Sequence, residues 1–135
     1  MTKNLLFICR ENRARSQIAE GIANHYKKDN SKIFSAGFEP AEKIHPMAIE
    51  VMKEIGIDIS EQKPKDIDKI NLDNIDMVIT LCDTACPVLP PRTKYEHWGL
   101  TDPADFQGNN KEKLQVFREV RDILIKRIKN LILKE

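Results

Sequence analysis

The short apolar run Leu5-Leu6-Phe7-Ile8 ends on Cys9, and only five residues, Arg10-Glu11-Asn12-Arg13-Ala14, separate that thiol from Arg15-Ser16 and the amphipathic stretch that follows. A buried strand, a tight loop and a helix start in so little chain leave few folds open. The loop has to curl, and its backbone N–H groups and the helix N-terminus can converge on one tetrahedral oxyanion with the sulfur beneath it. A free thiol, with an ordinary pKa of about 8.5, is a poor nucleophile at neutral pH. A helix N-terminus and neighbouring cations favour the thiolate. Arg15 offers a planar fork that matches two oxyanion oxygens. Ser16 is expected both to cap the helix and to donate to the sulfur. The plainer reading is a buried cysteine before an ordinary helix; the strand before, the helix after and Ser16 in place favour chemistry.

The rest of the chain alternates strand and helix patterns. A strand is expected over residues 4–9, a helix over 16–28, and a strand over Lys32–Ala36 ended by Gly37. Pro46 suits a first helical turn, and the period from Ala48 to Ile55 stops at Gly56. Residues 66–71 read as a short helix, Ile75–Leu81 as a third strand and Lys94–Trp98 as a fourth. Leu114, Phe117, Val120, Leu124, Ile128 and Leu131 recur in steps of three and four and mark the C-terminal helix. This alternation predicts an α/β fold: one parallel sheet flanked by helices on both faces, with ligands at the carboxyl end of the strands.

With 135 residues the chain supports a single domain with a real core. Twenty-two basic residues against 21 acidic leave a net charge of +1, which gives nucleic acid no support as a partner. There is no apolar run of membrane-spanning length and no signal-peptide pattern, so no membrane association and a cytoplasmic location are expected. Three cysteines are too few for a disulfide framework and suit redox or catalytic use in a reducing compartment.

Two of those cysteines lie in Leu81-Cys82-Asp83-Thr84-Ala85-Cys86-Pro87, directly after the third strand. Loops after strands one and three of a parallel sheet open at the same end, so Cys82 is expected near Cys9. On an intact helix Cys82 and Cys86 would hold their Cβ atoms about 5–6 Å apart. A disulfide wants roughly 3.5–4.5 Å, so joining the two should distort that turn. Redox use is favoured over two small core residues. A zinc site of Cys82, Cys86 and His97 lacks a second close pair and is disfavoured.

Asp102 precedes Pro103, which restricts it to extended backbone. Held beside an oxyanion it could protonate a leaving oxygen; a turn or cap aspartate is an equal reading. His25 and His45 read as surface or capping groups, His97 as a brace for the acid loop, and Tyr26 and Tyr95 as packing residues. The basic end of the last helix, Lys126–Lys134, reads as a solvated face.

In order along the chain, Cys9-x-x-Asn12-x-Ala14-Arg15-Ser16-Gln17-x-Ala19-Glu20-Gly21, Ser35-Ala36-Gly37, Ala48-Ile49-Glu50-x-Met52-Lys53-Glu54, Val78-Ile79-Thr80-Leu81-Cys82, Cys86-Pro87-x-Leu89-Pro90, Glu96-His97-Trp98-Gly99 and Asp102-Pro103-Ala104 resemble the thioredoxin-coupled arsenate reductases, which are built on the low-molecular-weight protein tyrosine phosphatase fold. The resemblance covers nearly the whole chain and implies a four-stranded parallel sheet. It implies that Cys9 attacks arsenate held by Arg15 and the loop Arg10, Glu11, Asn12, Arg13 and Ala14, with phosphate or sulfate as mimics. Ser16 supports the thiolate and Asp102 acts as acid. Cys82 then attacks Cys9 to release arsenite, and Cys86 attacks Cys82. Thioredoxin or a similar dithiol protein resets the pair, with no bound cofactor and no catalytic metal. A monomer is expected.

Departures from the family pattern are visible. Relatives often carry Gly at Glu11 and Thr or Ser at Arg13, so Glu11 is expected to point outward or to pair with Arg10 or Arg13. Some relatives hold potassium through residues matching Asn12, Glu20 and Ser35 and an aspartate that falls near Lys65 here; Lys65 itself or Asp66 could fill that role. Two other functions compete: a phosphatase acting through a cysteinyl-phosphate, which would leave Cys82 and Cys86 idle, and a non-catalytic redox sensor.

Overall fold

A computed structural model of the chain describes residues 3–82 and 93–133. In chain order it contains β1 (Leu5–Cys9), α1 (Arg15–Tyr26), β2 (Ile33–Gly37), α2 (Pro46–Lys53), β3 (Met77–Thr80), β4 (Tyr95–His97) and α3 (Asn110–Leu133). Single 3-10 turns lie at Ile67–Lys69, Leu72–Asn74 and Pro103–Asp105. The four strands form one sheet in the order β2-β1-β3-β4, every pair parallel. From β1 the chain moves to one side, then returns to the other with β3. The loops leaving β1 and β3 therefore diverge, and a crevice opens between them at the carboxyl edge, where such sheets bind ligands.

All five residues of β1 are buried, because both faces of the sheet are covered. Leu5, Phe7 and Cys9 face a core formed with Ile18 and Ile22 of α1, Val51 and Met52 of α2, and Phe117, Leu124 and Ile128 of α3. Leu6 and Ile8 face the other way, into a smaller cluster with Ala36 and Val78 that is capped by Phe34, Ile67, Ile70 and Leu72. The strand's period of two thus splits one apolar run between two cores.

Local signals account for the helix ends. Pro46 opens α2 and the His45 ring accepts from Met47 N at 3.1 Å, so His45 is a capping residue. Gly56 stops that helix at φ 80°, where only glycine is unstrained. Asn109 and Glu112 each accept from the other's backbone N–H before α3, a reciprocal cap.

Some expectations shift. α1 starts at Arg15, not Ser16, and ends at Tyr26. The helix expected over 66–71 is one 3-10 turn, capped by Asp66. Gly37 is the last residue of β2 and ends it, as expected. Tyr95 is not a packing residue: β4 is a three-residue edge strand, and Tyr95 is 59% exposed. The basic end of α3 also does more than face solvent. The Arg127 guanidinium sits 5.7 Å from the Trp98 ring centre and Lys129 Nζ 4.8 Å from that of Tyr26, so both cations rest on aromatic faces.

Candidate active site

The loop after β1 is turned inside out by its hydrogen bonds. The Arg10 carbonyl accepts from Phe38 N and Glu39 N, the Glu11 carbonyl from Ala41 N, and the Arg13 carbonyl from His45 N. The Asn12 carbonyl accepts from Gln17 Nε2. In a trans peptide the next residue's N–H points away from the carbonyl. The amides of Glu11, Asn12, Arg13 and Ala14 therefore turn to the opposite, concave side. This curl requires a left-handed residue, and Asn12 supplies it at φ 52°, the one non-glycine with positive φ among the described residues. The segment after β2 must also pass close behind. Gly37 permits this: a Cβ there would lie 2.7 Å from the Arg10 carbonyl oxygen and 2.9 Å from Asn12 N.

Cys9 ends β1 at the bottom of this loop, 2% exposed and a free thiol. Its sulfur lies 2.8 Å from Ser16 Oγ. The direction of that bond follows from its surroundings. Lys65 N is an unambiguous donor and meets Asn12 Oδ1 at 2.8 Å, so Asn12 Nδ2 faces Ser16 Oγ, at 2.6 Å, and donates to it. The Ser16 hydroxyl proton is then left for the sulfur. Ser16 is thus not the helix cap. Its hydroxyl is committed to Cys9 and Asn12, Ala14 occupies the cap position, and no side chain caps α1. The first amides of the helix are left to whatever the loop holds.

Arg15 is 3% exposed. One terminal nitrogen donates to the carbonyls of Leu81 (3.2 Å) and Leu100 (2.9 Å); the other lies 3.4 Å from Asp102 Oδ2. Among the described residues, two buried side-chain polar atoms have no hydrogen-bond partner, Arg13 Nε and Arg15 Nε. An unmet buried donor costs about 1–3 kcal/mol. Both belong to this loop, and an oxyanion is the acceptor they fit.

Asp102, 7% exposed, is the turn cap that one of its two expected readings describes, and it also faces the arginines of the loop. Its Oδ1 caps the Pro103–Asp105 turn by accepting from Ala104 N at 3.0 Å. Its Oδ2 faces Arg15 at 3.4 Å and Arg13 at 3.9 Å. Glu11 pairs with Arg13 at 2.9 Å, and Arg10 turns outward to Glu39 at 3.6 Å. Burial pushes the His45 imidazole below its ordinary value, and nearby Arg13 adds to that.

A family model described as low molecular weight phosphotyrosine protein phosphatase matches residues 4–135. The chain belongs to this family. Within it, the chain is 48% identical to an arsenate reductase of Bacillus subtilis (strain 168) over 130 residues, 94% of this chain and 93% of the relative. A solved arsenate reductase in its phosphate-binding state superposes with a TM-score of 0.84 at 39% identity, covering 98% of each chain. A thioredoxin-dependent arsenate reductase of Corynebacterium glutamicum superposes with a TM-score of 0.66 at 32% identity, covering 99% of this chain and 64% of that one.

Cys82 leaves the sheet at the same edge as Cys9. Ile8 pairs with Thr80 in the sheet, so Cys9 and Cys82 lie one and two residues beyond paired positions on neighbouring strands. Cys82 is 6% exposed and disulfide-bonded, whereas Cys9 is free, so that bond is not made by Cys9. Cys86 lies outside the described residues. His97 Nδ1 is 2.7 Å from Thr80 Oγ1, so its described hydrogen bond braces the strand pair, not the acid turn. Among the described residues no group of three or more His, Cys, Asp or Glu side chains is placed to hold a metal ion. Lys65 Nζ lies 3.7 Å from Glu20 Oε1, which also accepts from Ser35 Oγ at 2.6 Å, so an ammonium occupies the ground expected for a cation.

Sequence reasoning missed Gln17, Gln62, Asp105 and the Lys65 amide. Gln62 Nε2 donates to Gln17 Oε1 at 2.8 Å, and Gln17 Nε2 to Asn12 Oδ1 at 3.1 Å, which buttresses the loop from behind. The one local signal pointing there is Asn12 itself, whose strained backbone has to be held by something.

Proposed function

We propose that this protein reduces arsenate to arsenite by a three-cysteine relay reset by thioredoxin or a similar dithiol protein. The observation that carries the reading is the pair of orphaned guanidinium donors in a loop whose amides turn inward above Cys9. Its similarity to arsenate reductases, one of them thioredoxin-dependent, supports it further.

Arsenate rests on the Arg10–Arg15 loop with its oxygens on the amides and Arg15. The Cys9 thiolate, helped by Ser16, bonds to arsenic while one arsenate hydroxyl leaves, taking a proton from Asp102 to depart as water. The Cys82 thiolate then attacks the Cys9 sulfur. The S–As bond breaks with its electron pair going to arsenic, As(V) becomes As(III), and the two thiols become one disulfide. The Cys86 thiolate attacks Cys82 and returns Cys9 as thiolate. An external dithiol reduces the Cys82–Cys86 pair and is itself oxidised. All electrons come from thiols, so the scheme needs no bound cofactor or metal. We read the protein as a cytoplasmic monomer of one domain over residues 1–135; no helix among the described residues is long and apolar enough to cross a membrane.

A second reading has its own support. Cys9, Arg15 and Asp102 are also the set a cysteinyl-phosphate hydrolase requires, and the family model carries that activity in its description. Ala104 and Asp105 follow Asp102-Pro103 where an aromatic would stack on an aryl substrate, so hydrolysis is expected to be weak. Arsenate turnover coupled to thioredoxin, run beside hydrolysis of an aryl phosphate, tests the pair. Cys9→Ser should lose both activities. Arsenate reduction at full rate in that variant would sink the proposal.

A further inference from the structure

We infer that Arg13 is a specificity-determining residue: its guanidinium straps the mouth of the loop beside Asp102 and selects unesterified tetrahedral oxyanions over monoesters. The inference rests on the reading that the Cys9 loop holds an oxyanion.

One terminal nitrogen of Arg13 reaches three carboxylates: Glu11 at 2.9 Å on the loop, and Asp105 at 3.3 Å and Asp102 at 3.9 Å on the turn after β4. Arg13 and Asp105 are 92 residues apart in sequence, so the contact ties two separate walls of the site together. The bridge is anchored behind as well, because the Arg13 carbonyl is held by His45 N. Arg13 Nε remains buried without an acceptor.

The position of the bridge gives it meaning. Inward amides and Arg15 can take three oxygens of a tetrahedral anion. The fourth is presented to Asp102, the acid of the proposed reaction. In arsenate or phosphate that oxygen is bare, small, and able to meet the spare Arg13 N–H. In a monoester the corresponding oxygen carries an organic group, which has to leave the crevice past Asp102. There the Glu11–Arg13–Asp105 bridge crosses. Lys cannot reproduce it: one ammonium could meet the carboxylates as the single terminal nitrogen does, but it has no second donor to stand in for the buried Nε–H.

The test uses Cys9→Ser protein, which binds without turnover, titrated calorimetrically with inorganic phosphate and with phenyl phosphate. Removing a cation weakens both anions, so the ratio of affinities is what counts. Arg13→Ser should shift that ratio toward phenyl phosphate by about tenfold or more, the scale on which pocket shape discriminates. Arg13→Lys, which keeps the charge, should shift it the same way. Asp105→Asn, which loosens the far anchor and leaves the loop sequence intact, should give a smaller shift and decides the matter alone if the Arg13 variants do not fold. An unchanged ratio in Arg13→Ser, wild-type behaviour of Arg13→Lys, or, where only it folds, an unchanged ratio in Asp105→Asn overturns the strap. Electron transfer is not read here, so the relay can fail without touching this result. If neither anion binds the parent protein, the oxyanion site falls and the strap with it.

Discussion

Gly37 passes so close beneath Arg10 that a methyl group on it would lie 2.7 Å from the Arg10 carbonyl oxygen. The atoms it would strike are backbone and belong to the loop. Gly37→Ala should therefore force the loop outward, costing about 1–3 kcal/mol of stability. It should also lower activity more than that stability loss explains. Thermal unfolding together with inorganic phosphate affinity would show whether the loop itself has moved.

The bond from Ser16 Oγ to the Cys9 sulfur has a fixed direction because Asn12 donates to the same oxygen. Hydrogen bonds to a charged partner contribute about 1.5–3 kcal/mol. Ser16→Ala should thus slow alkylation of Cys9 by iodoacetamide at neutral pH by about tenfold or more. Asn12→Ala should do the same and in addition strain the loop, since alanine tolerates φ 52° poorly.

Cys82 follows β3 by two residues and is 6% exposed. Cys82→Ser should abolish multiple-turnover arsenate reduction and spare hydrolysis of an aryl phosphate. Reduction persisting at wild-type rate in that variant would rule out the relay.

The α2–α3 contact carries a pH signature. Hydrogen bonds from Arg118, and then from Arg121, hold the Glu54 carboxyl at about 2 against an ordinary 4.5. A depressed carboxyl stabilises the fold above its unfolded value, and that contribution fades as pH falls from 4.5 toward 2. Because Glu54 is one-third exposed, the effect should be modest and weakened by salt. His45 acts in the same direction at higher pH: its lowered value means that acidification below 6.5 protonates the unfolded chain first and favours it. Urea midpoints measured from pH 7 downward should fall in two stages. Glu54→Gln should flatten the lower stage and leave the upper one.

Much of this was readable in the chain. The period-two run of β1, the five-residue loop and the period-3.6 stripe of α3 are short-range patterns that burial alone enforces. Cys9 and Arg15 were legible as neighbours because five loop residues fix their spacing, whereas Asp102 stood evenly between an acid and a turn cap. The miscast details share a cause. Ser16 looked like a cap because local spacing cannot show that Asn12, bent into the left-handed region and held by the Lys65 amide, would claim its hydroxyl. Tyr95 looked like core because a sequence window does not reveal that its strand is an edge. The Arg13–Asp105 bridge spans 92 residues, and no periodicity reports a contact of that kind.

Arg15 is moored to the Leu81 and Leu100 carbonyls, one next to Cys82 and the other two residues before Asp102. The proposed anion clasp therefore shares its fastenings with the segment that carries Cys82 and the segment that carries Asp102. An insertion or deletion in either segment should therefore shift the Arg15 guanidinium as well, coupling three stretches of chain that lie far apart in sequence.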